Sequence, residues 1–384
     1  MKILVQITRV LVGVLFIFSG LIKANDPLGL SYKMEEFFDA WNIHGLSSFT
    51  LAFSIIMIVF EILAGVAVLI GWRMRLFSWL LLLLIIFFTF LTGYAFFSGK
   101  IRECGCFGNC IPLTAGQSFF KDIILLLLIC FLFIKSDQIK PVIPKLASQA
   151  ILILTIVFSF SIQWFVLQYL PVVDCLPFQV NSNILERMMI PAGAIPDSTV
   201  ISFIYDKNGK RVEFTADKFP SDFDDSYHFV KRYDKLIRKG NAEPLIKDFV
   251  LMTPSGNDTT LAVLKTPGYK VFIFAKDMPS SEPSWNREFS VIYSITKMKG
   301  IPVFFITANP EQVFVYLQRN NLLEEIPVLI ADATVIRTAA RANPTLFLLK
   351  NATILSKRSA ADFRTAIREL SSLPSPGESP GVGN

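Results

Sequence analysis

The chain has 384 residues, of which 52% are hydrophobic and 18% charged, and its mean hydropathy is +0.50. This excludes a disordered chain and an ordinary soluble enzyme, since soluble domains are about 45–50% apolar and about 25% charged. The net charge of +6 is spread out without a Lys/Arg run, which argues against a nucleic acid partner. Only twelve of 37 Lys and Arg and eight of 31 Asp and Glu precede Pro171. An apolar first part therefore precedes a polar second part.

The first part contains five apolar runs that approach or exceed the roughly 20 residues needed to cross a bilayer. The first run lacks a small-residue cleavage site and another apolar run follows it, so it is predicted to be a retained helix. The sequence thus predicts a four-helix membrane bundle over about residues 1–140 and a fifth transmembrane helix. The predicted spans are residues 3–22, 50–70, 76–97, 119–134 and 148–170.

The basic residues near the span ends predict the orientation of the bundle. They cluster on the side of the N-terminus, which is therefore predicted to be cytoplasmic. The connection 25–49, the loop 98–118 and everything after Leu170 would then lie outside the cytoplasm. The basic residues that set this orientation are Lys2, Arg73, Arg75, Lys135, Lys140 and Lys145.

Four of the five cysteines fall on the predicted outer side, where disulfides persist. Cys104, Cys106 and Cys110 share one loop, and Cys175 follows the fifth span. Three interpretations stay open: a redox pair of Cys104 and Cys106, two structural disulfides, or a metal site of three thiolates. The last lacks a fourth ligand unless Cys175 supplies it, and we predict no metal.

Two ionisable side chains, Arg9 and Glu61, lie within the predicted spans. Such residues are costly in a bilayer unless they face the bundle interior and pair. Their depths differ by about 6 Å at 1.5 Å per residue, which a long Arg side chain can bridge. The sequence therefore predicts an Arg9–Glu61 pair, which either fixes helix packing alone or also serves a ligand or proton path.

Four segments of the first part carry a family pattern: Arg9-Val-Leu-Val-Gly13, Ser19-Gly-Leu-Ile-Lys23, Glu61-Ile-Leu-Ala-Gly65 and Cys104-Gly-Cys-Phe-Gly108. They resemble the DoxX/MauE group of bacterial four-helix membrane proteins over about residues 1–140. The segment at Cys104 is similar to the MauE branch in particular.

The resemblance implies an inner-membrane bundle that supports thiol or quinone-linked redox chemistry in the periplasm. MauE supports maturation of a disulfide-rich periplasmic dehydrogenase subunit in methylamine utilisation, and DoxX is a quinone-linked oxidoreductase subunit. For this chain it implies Cys104 and Cys106 as redox residues, a quinone as the candidate cofactor, and an envelope protein with thiols as the partner besides the lipid bilayer. The fifth span and the large second part lie outside the four-helix pattern of MauE.

The second part begins with a β-rich connector over residues 171–244. Alternating runs at 199–205 and 211–215 flank Asn208-Gly209, which predicts a hairpin with a type I′ turn. Residues 228–237 predict a further strand. Residues 245–372 alternate strands with helices and end in a hairpin and a helix, which predicts an α/β sandwich with a mixed sheet. The tail 373–384 lacks apolar residues to bury and is predicted to be disordered.

The order of elements over 245–372 resembles the thioredoxin-like fold in its redoxin branch. Asn343-Pro344-Thr345 matches the position of that fold's cis-proline, so the resemblance implies a cis bond and a client-binding groove there. Where a redoxin has its nucleophilic Cys, this chain has the segment Lys276-Asp-Met-Pro-Ser-Ser-Glu-Pro-Ser-Trp285. No Cys follows Cys175 in the sequence. Because thiolate chemistry needs a sulfur, this domain is predicted to be inactive.

Two functions remain open from the sequence. In the first, the bundle passes reducing equivalents between Cys104/Cys106 and a quinone or partner while the second part binds a client. In the second, the chain is a non-enzymatic membrane-anchored scaffold or assembly factor whose cysteines form structural disulfides.

Overall fold

A computed structural model describes residues 2–374 except 100, 102–104, 106–107, 196–197, 217, 239, 241 and 280. Cys104, Cys106 and most of the predicted disordered tail therefore lie outside the described residues.

Five of the described helices are long and apolar enough to cross a membrane, as the sequence predicted. The shortest predicted span gains a turn because Thr114 caps its helix: Thr114 Oγ1 accepts from the Gln117 N–H and Gln117 Oε1 accepts from the Thr114 N–H. The resulting 20 residues suffice to cross a bilayer. The five helices are α1 (Lys2–Asn25), α3 (Thr50–Ile70), α4 (Met74–Ser98), α5 (Ala115–Ile134) and α6 (Lys145–Tyr169).

A shorter helix, α2 (Pro27–Ala40), lies at the end of the bundle where α1 stops. Asp26 caps it, since its carboxylate accepts from the Gly29 N–H at 3.0 Å. Buried Ser31 donates to Thr50 at 2.9 Å and so ties α2 to the start of α3. We call this end the domain end, because the second part of the chain follows α6 there, and we call the other the N-terminal end.

Glycines fix how α1 packs on α3. A Cβ on Gly13 would lie 3.0 Å from the Gly65 carbonyl oxygen, and a Cβ on Gly65 would lie 2.9 Å from the Gly13 carbonyl oxygen. The two backbones therefore touch, as small residues allow in membrane bundles. Farther along, Gly20 packs on Ile62. This antiparallel register sets Glu61 beside the domain end of α1.

The polar second part contains two sheets. The first is antiparallel, with order β2-β1-β3, and its turn has positive φ at both Asn208 (53°) and Gly209 (81°), which confirms the predicted hairpin. The predicted third strand pairs with the other edge of β1. These strands are β1 (Ser198–Lys207), β2 (Lys210–Thr215) and β3 (Tyr227–Arg238).

The second sheet is mixed and five-stranded, with order β6-β5-β4-β7-β8. Alternate residues of β4 enter two cores: Val271 and Ile273 pack under one helical layer, and Phe272 and Phe274 pack under the other. Helices thus cover both faces, as expected of an α/β sandwich. The strands are β4 (Tyr269–Ala275), β5 (Val303–Thr307), β6 (Val328–Ile330), β7 (Thr345–Lys350) and β8 (Thr353–Ser359).

The helices of this α/β domain divide between the two cores. One layer holds α9 (Asn286–Met298), α10 (Pro310–Arg319) and α12 (Phe363–Ser372). The other holds α7 (Ile184–Arg187), α8 (Thr260–Lys265) and α11 (Ala333–Ala339). The predicted cis bond is present between Asn343 and Pro344, directly before β7.

One disulfide ties the loop between α4 and α5 to the segment after α6. It joins Cys110 to Cys175, 65 residues apart in sequence, with their Cα atoms 4.8 Å apart. At least one bridge among the four cysteines that the sequence predicts to lie outside is therefore present. Cys130 on α5 is a free thiol.

Removal of this bridge is expected to destabilise the domain end. Cys110→Ser with Cys175→Ser should lower the free energy of unfolding by roughly 2–4 kcal/mol, because the bridge restrains a long loop in the unfolded chain. Denaturant unfolding of the variant and the parent protein in the same micelles measures the difference. Cys130→Ser is the control and should change stability by much less, since that thiol bridges nothing; equal stability of all three proteins would contradict the prediction.

Candidate functional site

The predicted Arg9–Glu61 pair is not formed, because Glu61 binds a different cation. Lys23 Nζ lies 2.7 and 2.9 Å from the two carboxylate oxygens of Glu61, and Ser19 donates to the same carboxylate at 2.8 Å. The register of α1 and α3 explains the correction: Lys23 lies opposite Glu61, whereas Arg9 lies fourteen residues earlier, about 21 Å along the helix. Arg9 instead reaches Gly71, where a Cβ would lie 3.3 Å from its Nη1.

The Lys23–Glu61 pair borders a cavity of about 380 Å³ between α1, α3, α4 and α5. Both side chains are only 3% exposed, and Lys23 Nζ also lies 4.7 Å from the centre of the Phe88 ring. We call this space the polar cavity. Its lining residues are Leu15, Phe16, Ser19, Lys23, Glu61, Ile85, Phe88, Leu113, Gln117, Lys121, Asp122 and Leu125.

A second buried carboxylate lies across the polar cavity. Asp122 is 1% exposed, accepts from Thr92 Oγ1 at 3.1 Å, and has Lys121 Nζ at 2.8 Å. Two lysine–carboxylate pairs thus come from α1 with α3 and from α5. Buried charges in a bundle are tolerated when they pair in this way, and they mark functional sites by default.

The polar cavity continues toward the lipid-facing surface between α1 and α5. A wider cavity of about 670 Å³ shares Leu15, Gln117, Lys121 and Leu125 with it and extends to the exposed side chains of Phe120 and Ile124. We call this space the lateral cavity. An apolar route therefore leads from the paired charges to the surface that a bilayer would cover.

Three described residues of the loop that carries the clustered cysteines contact the domain end of the bundle. A Cβ on Gly108 would lie 3.4 Å from Ile22, next to Lys23, and a Cβ on Gly105 would lie 3.0 Å from Lys33. Asn109 donates to Asp26 at 3.1 Å. The described residues next to Cys104 and Cys106 therefore lie against α1 and α2 at the domain end.

The α/β domain contacts α2 through a second cluster of charges. Arg341 Nε lies 2.8 Å from Asp26 Oδ1, and Arg337 Nη1 lies 2.7 Å from Glu35 Oε2. Both guanidinium groups lie over the ring of Tyr32, at 5.3 and 5.0 Å. Because the Arg341–Asp26 pair is nearly buried, at 6% and 11% exposure, this contact is part of the folded structure rather than a loose surface encounter.

The predicted client-binding residues lie beside this contact. Asn343 Oδ1 accepts from the backbone N–H of Lys276 at 2.9 Å, and Asn343 Nδ2 donates to the Asp277 carbonyl at 2.7 Å. Pro344 and Thr345 are buried. Client binding here stays a prediction; what the structure adds is that Lys276 Nζ contacts Tyr32 OH at 3.0 Å, so α2 adjoins this position.

Lys276 directly follows the last residue of β4. Burial, assisted by the nearby charge of Arg341, lowers the pKa of Lys276 to about 8. Burial raises the pKa of Tyr32 above its usual value. The charge of Lys276 is therefore expected to change near pH 8.

The sequence missed Lys23 and Asp122 as site residues because both lie near the ends of their predicted spans. Ser19 and Lys23, four residues apart on one helix face, were an available signal. For a metal, no group of three His, Cys, Asp or Glu side chains was found in the part of the chain that the structure describes, which excludes Cys104 and Cys106.

Replacing only Lys23 of the Lys23–Glu61 pair should destabilise the bundle more than replacing both residues. Lys23→Met leaves Glu61 unpaired and should cost about 3–5 kcal/mol of unfolding free energy, whereas Lys23→Met with Glu61→Met should recover most of that loss. Unfolding titrations in micelles measure both variants. Lys2→Met is the control for loss of one positive charge; a Lys23→Met protein as stable as the parent would refute the pairing.

The contact between the α/β domain and α2 should strengthen as the pH rises from about 8 to 10. The unfolded chain keeps the Lys276 proton up to about 10.5, whereas the folded chain releases it near 8, so stability rises with pH between these values. The charged groups that act on Lys276 are Arg337, Arg341, Asp26 and Asp277. Thermal unfolding at several pH values measures the slope.

The control for this prediction is Lys276→Met. Burial also lowers the pKa of Lys357, but Lys357 is present in both proteins, so the difference between their slopes reports Lys276. The variant should show a flatter pH dependence over this range. Parallel curves for the two proteins would contradict the assignment.

Comparison with known proteins agrees with the architecture of the bundle. The family model described as Methylamine utilisation protein MauE matches residues 1–135. Another, described as Domain of unknown function (DUF8463), matches residues 199–239, which form the three-stranded sheet. No curated protein and no solved structure matches the chain. Residues 1–135, which hold α1 to α5 and the polar cavity, are therefore the MauE-like membrane part of this protein.

Proposed function

We propose that the MauE-like bundle couples thiol–disulfide chemistry at Cys104 and Cys106 to a quinone held in the polar cavity. The bundle would lie in the inner membrane of a bacterium, with the domain end on the periplasmic side. The observation that carries the proposal is a cavity lined by two lysine–carboxylate pairs, Lys23 with Glu61 and Lys121 with Asp122, which continues to the lipid-facing surface. Gly108 of the cysteine loop lies close to Ile22, the neighbour of Lys23 in the chain.

The residues that line the polar cavity fit a quinone headgroup. Its volume of about 380 Å³ lies within the range of small-molecule sites. Leu15, Phe16 and Ile85 offer apolar walls for a ring, and Lys23 and Lys121 offer ammonium donors for ring oxygens. Because a quinone dissolves in lipid, the lateral cavity between α1 and α5 suits its entry better than an aqueous channel would.

A bound quinone supplies the two-electron couple: formation of a Cys104–Cys106 disulfide releases two electrons and two protons, the number that converts a quinone to a quinol. Side chains of the bundle can stabilise the charge that develops on the quinone oxygens during this reaction. Glu61 and Asp122 pair with Lys23 and Lys121 beside the cavity of an apolar bundle. Each lysine can then stabilise negative charge that develops on an oxygen in the cavity.

The cysteines divide into two roles under this proposal. Cys110 and Cys175 form the structural bridge that holds the end of the loop to the segment after α6. Cys104 and Cys106 remain available to exchange with each other and with a client. Asn109, adjacent to the bridge, is also bound to Asp26, so the loop is anchored on one flank of the reactive pair.

We infer further that the α/β domain is thioredoxin-like and has lost its own thiol chemistry. Support comes from the strand order, the helices on both faces and the cis bond before Pro344. Its contact with α2 holds it near the cysteine loop, through Arg341, Arg337 and Lys276. The domain would bind an envelope protein with thiols and present it to Cys104 and Cys106.

The experiment is oxidation of the reduced protein by a short-chain quinone in nanodiscs. Alkylation and mass mapping should show the Cys104 and Cys106 thiols disappearing while quinol appears in equal amount. Leu125→Trp, which fills the polar cavity, should slow this reaction at least tenfold, an effect of about 1.4 kcal/mol on the barrier. Leu127→Trp is the matched control on α5, because Leu127 faces outward and is 66% exposed.

A non-enzymatic scaffold is the second candidate function. It is favoured by the Cys110–Cys175 bridge and by the buried Arg341–Asp26 pair, both of which tie the two parts of the chain together without chemistry. Under this alternative, mass mapping would find Cys104 and Cys106 in fixed bridges, and their replacement by Ser would lower stability only. That result would refute the redox proposal.

A further inference from the structure

A third cavity, of about 710 Å³, opens at the N-terminal end of the bundle, far from the polar cavity. It lies between the start of α4 and the end of α5, and the turns that follow α3 and α5 complete it. We call it the arginine cavity. Its lining residues are Gly71, Arg73, Met74, Arg75, Leu76, Trp79, Phe133, Ser136, Asp137, Ile139 and Pro141.

The arginine cavity combines a charged part with an apolar part. Arg73 and Arg75 are exposed in the short turn that begins α4, and no ion pair to either was found among the described residues. Leu76 and Trp79 continue along α4 from these arginines and are 45% and 48% exposed on the surface that lipid would cover. This layout matches an amphiphile with a negative headgroup and an acyl chain.

A buried cation lies behind the wall of this cavity. Arg9 is 8% exposed, its Nε has no hydrogen-bond partner, and its Nη1 approaches the position that a Cβ on Gly71 would take. Gly71 itself lines the cavity. Burial of a cation within a membrane bundle is costly, so an anion bound next to Gly71 would offset part of that cost.

We propose that the arginine cavity binds the headgroup of an anionic phospholipid with free hydroxyls, such as phosphatidylglycerol. Its phosphate would lie between Arg73 and Arg75, and its acyl chain would follow Leu76 and Trp79. Asp137 also lines the cavity, and its carboxylate would repel a second phosphate but accept hydrogen bonds from headgroup hydroxyls. Basic pockets between membrane helices bind acidic headgroups in this way.

The test compares lipid retention in nanodiscs of phosphatidylcholine with and without phosphatidylglycerol. Native mass spectrometry should show that the protein retains phosphatidylglycerol in preference to phosphatidylcholine. Arg73→Gln with Arg75→Gln should reduce this preference by about fivefold for each charge removed, as expected for basic groups near an anionic headgroup. Lys2→Gln with Lys145→Gln removes the same charge at the same end without touching the cavity, and should keep the preference.

Further variants and conditions distinguish a lipid bound in the cavity from a general surface field and from a free anion. Leu76→Trp keeps both arginines, narrows the acyl part of the cavity, and should also reduce retention. If the arginine double variant and the lysine double variant lost the preference for phosphatidylglycerol equally, the preference would come from the general positive charge at this end, and that result would overturn the proposal. So would full protection of the protein against thermal unfolding by inorganic phosphate in phosphatidylcholine alone, which would indicate a free anion. This site is independent of the redox proposal, and neither result decides the other.

Discussion

The contact between the backbones of Gly13 and Gly65 is the constraint on which the rest of the bundle depends. It brings α1 and α3 so close that their register cannot slide, and this register places Lys23 rather than Arg9 against Glu61. The paired charges in turn allow a polar cavity to exist inside an apolar bundle. Without the small residues, the carboxylate of Glu61 would face lipid or an apolar helix, where an unpaired ionisable group is costly.

Charge is distributed differently at the two ends of the bundle. At the domain end, cations meet carboxylates: Lys23 meets Glu61, Lys121 meets Asp122, and Arg341 meets Asp26. At the N-terminal end, Arg9 is buried without a partner on its Nε and two exposed arginines follow α3. These three cations at the domain end thus have carboxylate partners within the chain, whereas Arg73 and Arg75 at the N-terminal end have no ion pair among the described residues.

Features that depend on local sequence could be predicted, and features that depend on register could not. The five spans, the turn at Asn208-Gly209 and the cis bond before Pro344 follow from apolar runs, turn chemistry and a recognisable order of strands. The prediction of an Arg9–Glu61 pair was wrong because a depth estimate does not say which residues of two antiparallel helices face each other. The sequence indicates the short helix α2 only as a connection, although its contacts anchor the α/β domain.

The disulfide between Cys110 and Cys175 also has a consequence for biosynthesis. Cys110 precedes α5 and Cys175 follows α6. The bond therefore cannot form until both helices have been synthesised and both thiols lie on the same side of the membrane. Until then Cys110 is an unpaired neighbour of Cys104 and Cys106. The closed bond therefore records that the last helix pair was inserted completely.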